Sequence, residues 1–232
     1  MLAQISQFLA VDPSNFPKNE HIIVGDRSQE GGFLIHYFLN LCLKQKRPVV
    51  FVGLSQSFSH YNTVAQKLGT NLLLARDENK NLIFIEGLNL LSDCVRLYPS
   101  DSTESNSFFS LLKGDITFFL EEIGKSISNF TKLESPNAPV VIVDDLFILL
   151  RAGATTRDII YLVDTLYDLL TSGPNKGSLI LLSHLENSDD ETDEAWAYMR
   201  QMCSIKIEVS DLKSGYCKDV HGQVCTVNHF DQ

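Results

Sequence analysis

Apolar residues along this chain gather into short unbroken runs, and the longer stretches between them carry helical spacing. HIIV at His21–Val24, VVFVGL at Val49–Leu54, VVIV at Val140–Val143 and SLILLSH at Ser178–His184 lack polar alternation. That is the habit of strands buried on both faces of a parallel sheet. NLIFIE at Asn81–Glu86 reads as a further strand, reached through a polar, hairpin-like turn at Asp77–Lys80. Between Phe33 and Lys46, apolar residues at Phe33, Leu34, Tyr37, Phe38 and Leu41 recur as on one helix face. Ser55–Gly69 reads as a capped turn and a helix closed by Gly69, and Phe108–Phe130 and Asp158–Leu170 continue the helical pattern. Ser100–Ser107, the small-residue stretch Arg151–Arg157 and the acidic stretch Glu186–Glu194 read as loops. The tail changes character: SIKIEVSDL at Ser204–Leu212 alternates apolar and polar positions, and GYCKDVHGQVCTV reads as a hairpin around His221 and Gly222. The pattern predicts an α/β fold with a mostly parallel central sheet, helices on both sides and antiparallel C-terminal edge strands.

Composition narrows the class. At 232 residues and 44% hydrophobic content, one domain spanning 1–232 with a sizeable core is expected. A net charge of -10 argues against this chain alone binding nucleic acid, because phosphate contacts supply most of that affinity. The five cysteines, Cys42, Cys94, Cys203, Cys217 and Cys225, show no C-x-x-C spacing, so neither a disulfide framework nor a zinc site is expected. Reduced thiols point to the cytoplasm, with some of the protein nuclear. The N-terminal MLAQISQFLAVDP reads as a short amphipathic helix ending near Pro13, not as a secretory signal, and no apolar run is long enough to cross a bilayer.

The candidate chemistry lies where apolar runs meet acids. VVIVDDLFILL ends its strand in Asp144 and Asp145, the place where nucleotide-binding folds keep a metal-organising aspartate. Such an element, similar to Walker B, needs a phosphate loop upstream. The matching stretch is DRSQEGGF, from Asp26 to Phe33, set between a strand and a helix as G-x-x-x-x-G-K-[ST] would be. Asp26 stands for the first Gly, Gly31 for the second, Gly32 for the Lys and Phe33 for the Ser or Thr. One charge-assisted hydrogen bond is worth roughly 1.5 to 3 kcal/mol, so the missing Lys alone costs about tenfold or more in phosphate affinity. Asp26 and Glu30 add like-charge repulsion. The loop is degenerate: no catalytic, cofactor-binding or metal-binding residue is expected.

Four segments carry a resemblance. SFSHYNTVAQKLG at Ser57–Gly69, IFIEGL at Ile83–Leu88, VDDL at Val143–Leu146 and GYCKDVHGQV at Gly215–Val224 resemble the family of the sixth subunit of the Elongator complex. The resemblance implies a RecA-like fold without Walker motifs. It also implies partnership with Elongator subunits four and five in a heterohexameric ring that binds tRNA and assists wobble-uridine modification by the catalytic Elongator core. In folds of that kind the loops after the fourth and fifth strands face the ring centre, which makes Arg151 and Arg157 the candidates for tRNA contact.

Two enzymatic alternatives stand beside this scaffold reading. A divergent ATPase could use Asp144 at a composite interface site, with Arg27, Arg151 and Arg157 as trans contacts. An α/β serine hydrolase is suggested by GLSQS at Gly53–Ser57, with Ser55, Asp144 or Asp145, and His184 in the Ser, acid, His order. Against it, Ser57 replaces the second Gly of the elbow and no oxyanion motif is visible. His60 and Tyr61 read as a core pair or part of an interface, Cys217 and Cys225 as packing thiols facing each other across the hairpin, and Trp196 and Tyr198 as a helix face or a partner anchor.

Overall fold

The computed structural model describes residues 2–9, 19–28, 30–87, 116–132, 137–172, 176–185, 190–212, 215 and 222–228. Seven strands form one sheet in the order β3-β2-β4-β5-β1-β6-β7. They are β1 (His21–Asp26), β2 (Val49–Gly53), β3 (Leu82–Glu86), β4 (Val140–Asp144), β5 (Ser178–His184), β6 (Ile205–Ser210) and β7 (Gln223–Asn228). All neighbouring strands are parallel except the β6–β7 pair. The mostly parallel sheet and antiparallel edge expected from the sequence are therefore present.

The unbroken apolar runs are explained by two cores. Ile23, Val50, Val52, Val141, Val143, Leu179 and Leu181 point to one face. There they meet α5 (Ile116–Lys132), α7 (Thr156–Thr171) and α8 (Asp190–Met202). The alternate residues Ile22, Val24, Val49, Phe51, Val140, Ile142, Ile180 and Leu182 point to the other face. They pack on α2 (Gly32–Lys44), α3 (Phe58–Lys67) and α4 (Leu72–Asp77). The central strands β1, β2, β4 and β5 thus bury both of their faces, and three layers result. The N-terminal α1 (Leu2–Phe8) adds Leu9 to the second core.

Several boundaries differ from the sequence reading, each for a local reason. Leu72–Asp77 is a helix, not an approach to a hairpin, because the Asn71 side chain accepts from the Leu74 N–H and caps it. The stretch read as a loop from Arg151 to Arg157 is shorter: α6 (Ile148–Arg151) precedes it, and α7 begins at Thr156, placing Arg157 on a helix. A capping box starts α7, with the Thr155 hydroxyl and the Asp158 carboxylate each bonded to the other's backbone N–H. The second half of the acidic stretch is helical too. Asp190, Glu191 and Asp193 occupy the first turn of α8, where carboxylates complement the helix dipole.

At the tail, β6 runs parallel to β1, since α8 carries the chain back as a crossover, and its antiparallel partner is β7. Cys225 stands opposite Glu208; Cys217, its expected neighbour across the hairpin, and His221 lie outside the described residues, as do Ser100–Ser107 and residues 108–115 of the expected helix. Buried Cys42 and Cys203 are packing thiols, their pKa values pushed by burial to about 12 and about 11. Among the described residues no helix is long and apolar enough to cross a membrane.

Candidate functional site

Because β2, β4, β5, β1 and β6 are parallel, their carboxyl ends meet along one edge, where an open α/β sheet binds its ligands. The edge is stitched by backbone: Leu54 and Ser55 N–H donate to the Asp144 carbonyl, Leu146 N–H to Leu182, Leu185 N–H to Asp26 and Arg27 N–H to Val209. Strand β5 separates β1 from β4, so its last residue, His184, is set between Asp26, which ends β1, and Asp145, the residue just after β4.

Asp26 closes β1 and is almost wholly buried. One carboxylate oxygen accepts from the Gly31 N–H at 2.7 Å and lies 3.1 Å from His184 Nε2. The other accepts from the Ser28 N–H at 3.0 Å and the Ser28 hydroxyl at 3.1 Å. Burial alone raises the pKa of Asp26, but these donors and the His184 charge outweigh it and hold the carboxyl below its usual range. The degenerate loop therefore folds its backbone donors around its own side chain.

Asp145 receives the other side of His184. Its Oδ2 lies 2.9 Å from His184 Nδ1 and 3.4 Å from an Arg151 guanidinium nitrogen. Its Oδ1 accepts from the backbone N–H groups of Phe147 at 3.1 Å and His184 at 3.0 Å. Hydrogen bonds to Asp145 first, and then to Asp26, raise the His184 pKa to about 10, so the ring is an imidazolium that donates from both nitrogens. Asp26, Asp145, His184 and Arg151 compensate one another's charge at the end of three strands.

Asp144 is separate. It faces the second core, where the Tyr61 hydroxyl donates to its Oδ2 at 2.8 Å and the Ser55 hydroxyl at 3.3 Å. Burial, partly offset by those bonds, raises its pKa to about 6. A buried acid held by its own chain's hydroxyls is a poor organiser for a divalent metal.

The residues singled out in the sequence sort accordingly. Asp26, Gly31, Asp144, Asp145, Arg151 and His184 do gather at the carboxyl edge. Gly32 opens α2 with nothing within 4 Å of where its Cβ would stand, and Phe33 is exposed. Arg27 and Arg157 are exposed. The hydrolase arrangement does not form: Ser55 bonds to Asp144 and Tyr61, whereas both nitrogens of His184 are engaged by carboxylates and none is left to take a serine proton. His60 is exposed while Tyr61 is buried, so they are not a core pair. Trp196 is buried against Gly25, and Tyr198 bonds to Asp164 on α7. The sequence reading missed His184 as a clamp and Tyr61 as the partner of Asp144; these pairings join residues 39 (Asp145–His184) and 83 (Tyr61–Asp144) positions apart, and Asp26 lies farther still from His184, so they leave no local signal.

Fold and site together define a RecA-like domain whose phosphate loop is filled by its own carboxylate. Of solved structures, the uncharacterized protein PH0321 from Pyrococcus horikoshii, in complex with an unknown peptide, superposes with a TM-score of 0.66. The match covers 92% of this chain and 85% of that one at 9% identity, a likeness of fold.

The chain belongs to the Elongation complex protein 6 family, whose profile matches residues 2–231. It is 32% identical to Elongator complex protein 6 of Danio rerio over 231 residues, covering 97% of this chain and 85% of the relative. It is also 29% identical to the Homo sapiens protein of that name over 232 residues, covering 97% and 85%.

Proposed function

We propose that this chain is a non-catalytic subunit of Elongator's accessory heterohexameric ring, where it pairs with subunits four and five and supports tRNA binding and wobble-uridine modification by the catalytic core. The observation that carries this reading is the self-filled loop. Gly32 and Phe33 supply neither the lysine nor the hydroxyl of a phosphate site, and the Asp26 carboxylate occupies the Gly31 and Ser28 donors. A RecA-like domain so arranged contributes surfaces instead of turnover, and the family match supplies the complex in which those surfaces are used. A ring lined by several subunits reads a folded RNA by shape and backbone more readily than by its paired bases. The compartment that goes with this role is the cytoplasm, with some nuclear protein.

Co-expression with subunits four and five, followed by native mass spectrometry and a tRNA gel shift, tests the reading. The expected result is a six-membered ring containing this chain that shifts tRNA. Recovery of this chain as a lone monomer beside a complete ring of the other two would overturn it.

A further inference from the structure

The Asp26 carboxylate has the surroundings of a bound oxyanion. Two backbone N–H groups, one hydroxyl and one imidazolium N–H converge on its two oxygens at 2.7 to 3.1 Å. We propose that the donors of Ser28, Gly31 and His184 form an oxyanion site permanently occupied by its own ligand, with Asp26 a tethered carboxylate in the place of a free anion of the phosphate or carboxylate class.

The packing around the loop is built for an anion at this position. A Cβ on Gly31 would stand 2.8 Å from the Asp26 Cγ and 2.9 Å from its Oδ2, so the residue that precedes α2 must lack a side chain for the carboxylate to reach the N–H. Gly32, one residue on, meets nothing within 4 Å. The second carboxylate at the edge cannot replace Asp26, because both Asp145 oxygens are committed to His184, Phe147 and Arg151. Without the Asp26 side chain, the buried Gly31 N–H and the partly buried Ser28 donors and inward nitrogen of His184 would lose their shared partner, which is unfavourable. A small free anion would relieve that cost.

A tether supplies the anion at an effective concentration no diffusing ligand matches. The loop therefore keeps the anion-bound conformation whatever the nucleotide concentration, and the surface that β1 and α2 present is constant. This inference goes beyond the ring assignment and is tested on the isolated full-length chain, so its failure and the failure of ring assembly are separate results.

The test uses Asp26→Ala and Asp26→Asn with wild type, compared in sodium chloride, formate and phosphate at matched ionic strength. Thermal melting and amide NMR of Ser28 and Gly31 are the readouts. Wild type is expected to melt alike in the three salts. Asp26→Ala should melt lower in chloride and recover in formate or phosphate, with saturable shifts of both amides and an affinity roughly tenfold or more above that for chloride. Asp26→Asn keeps an acceptor oxygen but not the charge, so the NMR titration midpoint of His184 should fall by about one pH unit or more. If Asp26→Ala fails to fold in chloride, folding rescued by formate or phosphate supports the proposal, and the Asp26→Asn midpoint still decides it. A folded Asp26→Ala that treats the three anions alike, an unmoved His184 midpoint in Asp26→Asn, or saturable phosphate binding at Gly31 in wild type would each overturn it.

Discussion

His184 stands directly opposite Asp26 in the ladder that joins β1 to β5, and its Nε2 lies 3.1 Å from the Asp26 carboxylate. The same ring reaches Asp145 at 2.9 Å through Nδ1, so one imidazolium fastens the ends of three strands. Its folded pKa, raised from 6.5 to about 10, makes stability depend on pH. The unfolded chain loses this proton first as pH rises, so the stabilisation is complete below about pH 6.5 and declines toward pH 10, by at most about 1.4 kcal/mol per pH unit. Asp26 acts in the opposite sense at the acid end: its carboxyl is held below 3.8, and that contribution is lost as pH falls beneath the unfolded value. Urea denaturation across pH 6 to 9.5 should show the alkaline decline, and His184→Gln should flatten it. An equally steep decline in His184→Gln would show that other groups are responsible.

Asp144 predicts the reverse of the usual acid mutation. Its pKa is raised from 3.8 to about 6, chiefly by burial, so at neutral pH the folded chain carries an ionised carboxylate it disfavours. The unfolded state releases this proton more readily, and stability from this group falls between pH 3.8 and 6. Asp144→Asn keeps the shape and an acceptor for the Tyr61 hydroxyl. At pH 7.5 it should raise stability by roughly 1–2 kcal/mol, and the gain should vanish below about pH 4. Chemical denaturation at both pH values checks this; a loss of stability at pH 7.5 would mean that the amide N–H groups go unpaired.

Most of the scaffold was legible in the sequence, because Val49–Gly53, Val140–Asp144 and Ser178–His184 are apolar on both faces and so declare their burial. The absence of a lysine at Gly32 is plain in the sequence. What fills the loop instead is not. Asp26 read as a repulsive charge at an anion position; only the pairing of β1 with β5, between residues 158 positions apart in the ladder, puts His184 beside it. Helix starts at Thr156 and Asp190 were missed because capping by Thr155 with Asp158 and by the acids of α8 overrides a polar, loop-like composition.

Adjacent glycines of the loop should respond differently to one methyl group. Gly31→Ala drives a Cβ to within 3 Å of the Asp26 carboxylate, and overpacking of this kind costs about 1–3 kcal/mol. Gly32→Ala meets nothing within 4 Å and should be neutral or slightly stabilising, since alanine is the better helix former. Melting temperatures of the two variants give the comparison, and equal destabilisation would sink it.

Ser55 should not behave as an activated nucleophile. Its hydroxyl is shared between Asp144 at 3.3 Å and Tyr61 at 3.0 Å, and burial first, then the Asp144 charge, raise the pKa of Tyr61, so that phenol remains protonated and is no base. A fluorophosphonate probe should leave Ser55 unlabelled at pH 7.5. Stoichiometric labelling abolished by His184→Gln would restore the hydrolase reading.

The two arginines expected to meet RNA should separate by role. Arg151 reaches back to Asp145 and to the His184 carbonyl, each at 3.4 Å, so its guanidinium is part of the clamp. The Arg151 side chain is 41% exposed while the buried Asp145 carboxylate keeps His184 and two backbone N–H donors without it, so Arg151→Ala should cost about 1 kcal/mol. Arg157 projects from the first turn of α7 into solvent, where an N-terminal cation gains nothing from the helix dipole. Arg157→Ala should therefore leave stability unchanged. If α7 faces RNA in the assembled ring, the same change should weaken tRNA affinity several-fold and lower the slope of affinity against salt by about one contact. Gel shifts of the reconstituted ring at two salt concentrations measure both effects. Unchanged affinity and slope for Arg157→Ala would remove this residue from the RNA path and leave tRNA binding to other surfaces of the ring.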